Sequence, residues 1–141
     1  MRGSTLEELE GVRWGEPEFE SHLVVTCHRL RKKPVDAFSI EDLRIIIGQN
    51  IGLPHLLPCA ATVLEANPLA QGDFYPGDLL SAVLHADQSV LRQRPELMRR
   101  IIAIIDHAVK LLTAEGDPQP RSTEAKFLRE IIRFRADAAA K

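Results

Sequence analysis

The chain has 141 residues, a hydrophobic fraction of 45%, a charged fraction of 27% and a formal net charge of −2. This length and balance are typical of one globular domain and exclude a disordered chain. The sequence contains no run of about 20 uncharged apolar residues, the length that a membrane-spanning helix needs. Aromatic residues make up only 5%, so the core must be mainly Leu, Ile, Val and Ala, a mixture that favours helices over sheet.

Residues 1–17 are predicted to form an acidic N-terminal arm. The arm is expected to contain a short amphipathic turn or helix over residues 5–10, for which Ser4 or Thr5 is a suitable N-cap. Trp14 has two interpretations: it packs the arm against the core, or it is exposed and binds a partner, a role in which tryptophan is enriched. We favour packing against the core.

The first long helix is predicted over residues 18–33, with acidic residues at its start and basic residues at its end, as the helix dipole favours. Pro34 ends it. Its apolar face is expected to contain Phe19, Leu23, Val24, Cys27 and Leu30. The basic cluster, Arg29, Arg31, Lys32 and Lys33, is interpreted as compensation of the dipole.

A second helix is predicted over residues 40–49, because Ser39 and Asp42 form a capping-box pattern. The third, over residues 53–66, is apolar on nearly every side and is therefore predicted to be the buried central helix. Pro58 lies inside it and is expected to kink or split its first turn.

Residues 71–77, QGDFYPG, are predicted to be a loop, and Asp78 the N-cap of a fourth helix over residues 79–85. A short helical turn is expected within residues 86–94, and Pro95 is expected at the N1 position of a fifth helix over residues 96–112. The inner face of the fifth helix is expected to contain Leu97, Ile101, Ile104, Ile105, Ala108, Leu111 and Leu112.

A Pro-rich linker, residues 117–121, leads to a terminal helix over residues 122–138, with residues 138–141 expected to fray. Its apolar residues are Phe127, Leu128, Ile131, Ile132 and Phe134. The fold class predicted for residues 1–141 is therefore all-α: one compact bundle of about six helices, with Pro- and Gly-rich corners around a buried central helix.

Metal, cofactor and catalytic motifs are not visible. Cys27 and His28 are adjacent and point about 100° apart on a helix, so they do not converge on one metal ion. Asp73 and Asp78 could be an acid–base pair, but they are equally suited as a turn residue and an N-cap. We predict a protein that is not an enzyme and holds no metal or cofactor.

The charge is uneven: residues 1–21 carry six Glu against two Arg, whereas residues 88–141 carry eleven basic against seven acidic residues. Those basic residues alternate with acidic ones along helices, so we predict no nucleic-acid surface. Acidic residues beside aromatic ones suit a protein that covers a basic partner. The candidate binding residues are Glu16, Glu18, Glu20, Trp14, Asp73, Phe74, Tyr75 and Asp78.

Four segments carry a resemblance to a known family: residues 26–30 (TCHRL), 41–44 (EDLR), 46–54 (IIGQNIGLP) and 72–80 (GDFYPGDLL), and residues 6–21 fit as well. Together they resemble the immunity proteins of bacterial contact-dependent growth inhibition (CDI) systems. The resemblance covers residues 5–107 and leaves out the terminal helix. It implies a cytoplasmic antidote that binds and neutralises the C-terminal toxin domain, often a nuclease, of a cognate CdiA-type effector.

The resemblance identifies no catalytic residues and no binding motif in this sequence. We expect a monomer that acts in a 1:1 complex with the toxin, although the sequence does not determine the oligomeric state, and from charge and hydropathy we expect neither nucleic acid nor membrane as a partner. The N-terminus has no apolar signal-peptide segment, so a cytoplasmic protein with free cysteines is expected. Two alternatives stay open: a helical adaptor for an unrelated partner, and a small enzyme that uses Asp73 and Asp78.

Overall fold

The computed structural model describes residues 4–14 and 21–139. Within these residues the chain forms α-helices and one short 3-10 helix, Val35–Ala37, and no strand. The α-helices are α1 (Leu6–Glu10), α2 (His22–Arg31), α3 (Ile40–Gly48), α4 (Leu53–Ala66), α5 (Asp78–His85), α6 (Ser89–Gln93), α7 (Pro95–Leu112) and α8 (Thr123–Ala139). The all-α prediction is confirmed, and α1 and α6 lie in the segments predicted to form a turn or helix and a short helical turn.

Local capping signals locate several helix starts. Ser39 Oγ accepts the Asp42 N–H at 3.0 Å, and the Asp42 carboxylate accepts the Ser39 N–H at 3.1 Å, which completes the predicted capping box of α3. Thr5 and Glu8 form the same arrangement at α1. Such boxes satisfy amide groups that have no partner inside the helix, and both starts were therefore readable from the sequence.

The predicted start of α2 is wrong. Ser21 is the N-cap and the helix begins at His22, so its first turn contains no acidic residue. Leu23, predicted to face the core, is 43% exposed, because the buried residues of α2 lie only in its C-terminal half. Phe19 and the acidic residues predicted to open this helix lie outside the described residues.

Pro58 does not split α4, which continues as one helix from Leu53 to Ala66. Proline has no N–H, so the carbonyl of Pro54 four residues earlier loses its helical partner. The guanidinium of Arg94 replaces that partner: its Nη1 donates to the Pro54 oxygen at 2.9 Å. A side chain from a later part of the chain thus completes the helix at the position where the sequence predicted a break.

The core lies between α3, α4, α5 and α7, with Leu6 of α1 fully buried against it. α4 contacts α3, α5 and α7, in keeping with the central position predicted for it. Asn50, with φ of 58°, and the glycine at residue 52 make the sharp corner between α3 and α4. None of the helices in the described part of the chain is long and apolar enough to cross a membrane.

The two long helices at the C-terminal end are close to their predicted bounds. Ser122 caps α8 by accepting the Ala125 N–H at 3.1 Å, and the helix continues to Ala139, beyond the residue at which fraying was expected. Leu111, predicted to lie on the inner face of the fifth helix, is instead 45% exposed, and Ile132, an apolar residue of the terminal helix, is 50% exposed. Each lies at the edge of an apolar stripe that is wider than the surface covering it.

Candidate functional site

The loop of residues 71–77, between α4 and α5, is organised around the carboxylate of Asp78. Oδ1 accepts the Gly72 N–H at 2.6 Å, and Oδ2 accepts the N–H groups of Phe74 at 3.0 Å and Tyr75 at 3.4 Å. Asp78 is only 3% exposed. Several amides therefore converge on one buried charged acceptor, a strong form of hydrogen bonding.

The prediction that Asp78 caps α5 is wrong. The N-cap is Gly77, with φ of 94°, and Asp78 is the first residue of the helix. Its side chain turns back towards the preceding loop and accepts the loop amides, and none of the N–H groups of α5 is capped by a side chain. The sequence correctly indicated that Asp78 accepts hydrogen bonds from backbone amides. These amides belong to the loop before Asp78 and not to the helix after it.

α3 holds the other side of the loop backbone. Glu41 Oε1 accepts the Asp73 N–H at 2.9 Å. Arg44 binds the same carboxylate with both arms of its guanidinium, Nε to Oε1 at 2.6 Å and Nη2 to Oε2 at 2.5 Å. Arg44 Nε also lies 3.9 Å from Asp78 Oδ2, so Glu41, Arg44 and Asp78 form one ionic cluster beneath the loop.

The loop approaches α3 so closely that a side chain at residue 72 would have to displace the Glu41 carboxylate from its contacts. A Cβ atom at Gly72 would overlap Glu41 Oε1 and would lie 3.2 Å from Asp78 Oδ2. The carboxylates that fix the loop therefore occupy the space of any larger side chain. No spacing in the sequence indicates Glu41 and Arg44 as partners of a loop some thirty residues later, and sequence reasoning missed both.

Phe74 projects from the fixed loop and is 69% exposed. The guanidinium carbon of Arg44 lies 4.2 Å from the ring centroid, in cation–π geometry. Tyr75 is half-buried, and its ring meets the ring of Phe127 in α8 edge to face, with centroids 6.2 Å apart. The structure thus brings together four of the predicted binding residues. They are the exposed Asp73, the buried Asp78 and the two aromatic residues Phe74 and Tyr75.

Trp14 has a different set of neighbours. Its ring stacks on the guanidinium of Arg31 at 4.4 Å and meets His28 edge to face at 4.9 Å. Arg31 is 2% exposed, pairs with Glu10 and donates to the Val12 carbonyl at 2.5 Å. These contacts favour the interpretation that Trp14 holds the arm to α2, and they show that Arg31 does more than compensate a helix dipole.

The remaining predicted binding residues, Glu16, Glu18 and Glu20, lie outside the described residues. Asp73 and Asp78 do not have the form of an acid–base pair, because the Asp78 oxygens are occupied by backbone amides while Asp73 is exposed. In residues 4–14 and 21–139, no three His, Cys, Asp or Glu side chains are grouped to hold a metal ion. Cys27 and Cys59 are free, and burial raises the pKa of both thiols.

We expect the contact between Glu41 and the loop to be lost in acid. Hydrogen bonds from Arg44 hold the pKa of the Glu41 carboxyl below its ordinary value of 4.5. Because the folded pKa is the lower one, the stabilisation is fully present above the unfolded value and is lost as the pH falls through the folded value. The chemical shift of the Asp73 amide proton, followed from about pH 7 to about pH 3, should report this step, and Glu41→Gln should remove it. A step of unchanged size in that variant would contradict the assignment.

The sequence matches a family of known proteins. None of the curated proteins compared with the chain is similar enough to count as a relative. A sequence model of the family CDI immunity proteins matches residues 8–101, which is more than half of the chain. The matched region contains α3, the loop of residues 71–77 and α5, whereas α8 lies beyond it. The chain therefore belongs to the family of CDI immunity proteins.

Proposed function

We propose that this protein binds the C-terminal toxin domain of a cognate CdiA-type effector inside the cell and blocks it by occlusion, without catalysis. Membership of the CDI immunity proteins implies a toxin-neutralising protein. The observation that supports the binding site is the loop of residues 71–77, which holds an exposed aromatic ring on a fixed backbone.

The fixed conformation of this loop suits a role in binding a partner better than a role in folding alone. The amide contacts to Asp78 and Glu41 order the loop before any partner arrives, so binding does not have to supply the entropy of ordering it. At 69% exposure the large apolar ring of Phe74 contributes little to the core, but burying it against a partner contributes on the order of 2 kcal/mol. Central, well-packed aromatic residues of this kind dominate the energetics of protein interfaces.

The charge around the loop suits a basic toxin, and we propose a nuclease. Three carboxylates, Glu41, Asp73 and Asp78, surround one guanidinium, Arg44, which gives a formal balance of −2. Enzymes that cleave nucleic acid bind phosphates with a basic groove, and an acidic surface accelerates association with such a groove at low salt. We include Trp14 and Glu16 of the acidic arm, together with Glu18 and Glu20 directly after it, as a second contact, and we propose a 1:1 complex.

Phe74→Ala is the test of this proposal. It should raise the dissociation constant for the toxin domain about 30-fold or more, equivalent to ~2 kcal/mol, because it removes the exposed ring and leaves the loop amides in place. Isothermal titration or surface plasmon resonance measures the constant. The same variant should give reduced protection when it is co-expressed with the toxin domain encoded beside it.

Leu111→Ala is the matched control, since Leu111 is another exposed large apolar residue, at 45%, and lies on α7 rather than in the loop. It should bind and protect like the unchanged protein. Failure of the unchanged protein to protect cells against the toxin would remove the proposed function. Equal binding by Phe74→Ala and the unchanged protein would remove only the loop as the site.

A further inference from the structure

The loop of residues 71–77 has a second support besides α3, and α8 supplies it. Phe127 of α8 is 3% exposed, and its ring fills the space that a side chain at Gly77 would occupy, so that a Cβ atom there would overlap the ring. The same ring meets Tyr75 edge to face. Tyr75 and Gly77, near the C-terminal end of the loop, therefore both pack against Phe127 of the terminal helix.

α8 is itself held in place by polar contacts. The Ser81 hydroxyl donates to Glu130 Oε1 at 2.8 Å, and His85 Nδ1 lies 3.1 Å from the same oxygen, so the middle of α8 is tied to α5. Towards its C-terminal end, Arg135 Nε donates to Asp106 Oδ1 of α7 at 2.7 Å. Because α5 starts directly after the loop, these contacts set the position of Phe127 relative to the loop backbone.

We propose that α8, through Phe127, holds the loop in the conformation that the toxin binds, which makes Phe127 a positioning residue of the binding surface. This inference rests on the proposed function. Phe127 is buried and does not itself contact the partner; it acts by lowering the conformational freedom that the loop would lose on binding. α8 lies outside the region matched by the family, residues 8–101, so this support comes from a part of the chain that the family match does not describe.

The experiment compares Phe127→Leu with Phe134→Leu in the full chain. Phe134 lies in the same helix and undergoes the same chemical change, but it is half-buried in a groove with Leu84, Leu91 and Met98 and away from the loop. Two quantities are measured for each variant under conditions in which it is fully folded. They are the hydrogen exchange of the Gly72 and Phe74 amides, which needs no toxin, and the affinity for the toxin domain.

Phe127→Leu should accelerate exchange of the two loop amides and weaken toxin affinity, each about tenfold, whereas Phe134→Leu should leave both within about threefold of the unchanged protein. Unchanged loop exchange in Phe127→Leu would overturn the inference, and so would equal effects of the two substitutions. Faster exchange with unchanged affinity would overturn it too. Phe74→Ala then distinguishes failure of this inference from failure of the proposed binding site. Weaker toxin binding by Phe74→Ala would support the loop as the binding site, and unchanged binding would show that the loop does not bind the toxin.

Discussion

Replacing Asp78 with alanine is expected to lower the free energy of unfolding by about 3 kcal/mol. The carboxylate accepts the N–H groups of Gly72, Phe74 and Tyr75 while being almost wholly buried. Alanine leaves those amides without an acceptor, and a buried unsatisfied donor costs about 1–3 kcal/mol. The expected loss of stability is smaller than three times this cost, because the loop would loosen and water would reach part of its backbone.

Urea denaturation followed by circular dichroism measures the change, and the melting temperature should fall by about 10 °C for a domain of this size. Asp73→Ala is the matched control: Asp73 is exposed in the same loop and engages Glu41 through its backbone amide, which the substitution keeps. It should stay within about 0.5 kcal/mol of the unchanged protein. Equal stability losses in the two variants would show that the buried carboxylate has no special part in holding the loop.

Asp78→Asn separates charge from shape. The amide keeps one acceptor oxygen in the same place but turns an NH₂ group towards backbone donors, so one of the two oxygen positions is lost. The stability of this variant should lie between those of the alanine variant and the unchanged protein. If the proposed function holds, toxin affinity should fall in the same order, because the ring of Phe74 is presented by the backbone that Asp78 fixes.

Helix positions were predictable where the deciding interaction is local. The capping box of Ser39 and Asp42, the bounds of α4 and the start of α7 at Pro95 all depend on residues within one turn of the helix end. Leu23 was misplaced because apolar spacing identifies a possible inner face but not how far the surface that covers it extends.

The candidate site was predictable in residue type and not in arrangement. The aromatic and acidic residues of the loop were singled out by composition, but the side chains that fix them, Glu41, Arg44 and Phe127, are distant in sequence. The same limit applies to Pro58, because Arg94, which completes its helix, is thirty-six residues further along the chain. Tertiary contacts decide these points, and a local pattern does not contain them.

Replacing Glu10 is expected to cost more stability than replacing its partner Arg31, although the two form one ion pair. The Arg31 side chain is 2% exposed and the Glu10 side chain 28%. Among the described residues, Glu10→Ala leaves the buried guanidinium in contact with the Val12 carbonyl and the Trp14 ring. Removal of one partner of a buried pair costs about 3–5 kcal/mol. The partial exposure of the pair places the expected loss at about 3 kcal/mol.

Arg31→Met keeps most of the stem volume and leaves Glu10, whose carboxylate can turn towards water, so the expected loss is only about 1–2 kcal/mol. Trp14 is the only tryptophan in the chain, so its fluorescence follows the arm separately from the helices, which far-ultraviolet circular dichroism follows. In Glu10→Ala, the fluorescence transition in urea should come before the circular dichroism transition, because the arm detaches first. Glu7→Ala, a substitution in the same short helix, is the control and should leave the two transitions coincident. An Arg31→Met variant less stable than Glu10→Ala would show that the stacking of Arg31 on Trp14, rather than the buried charge, holds the arm to α2.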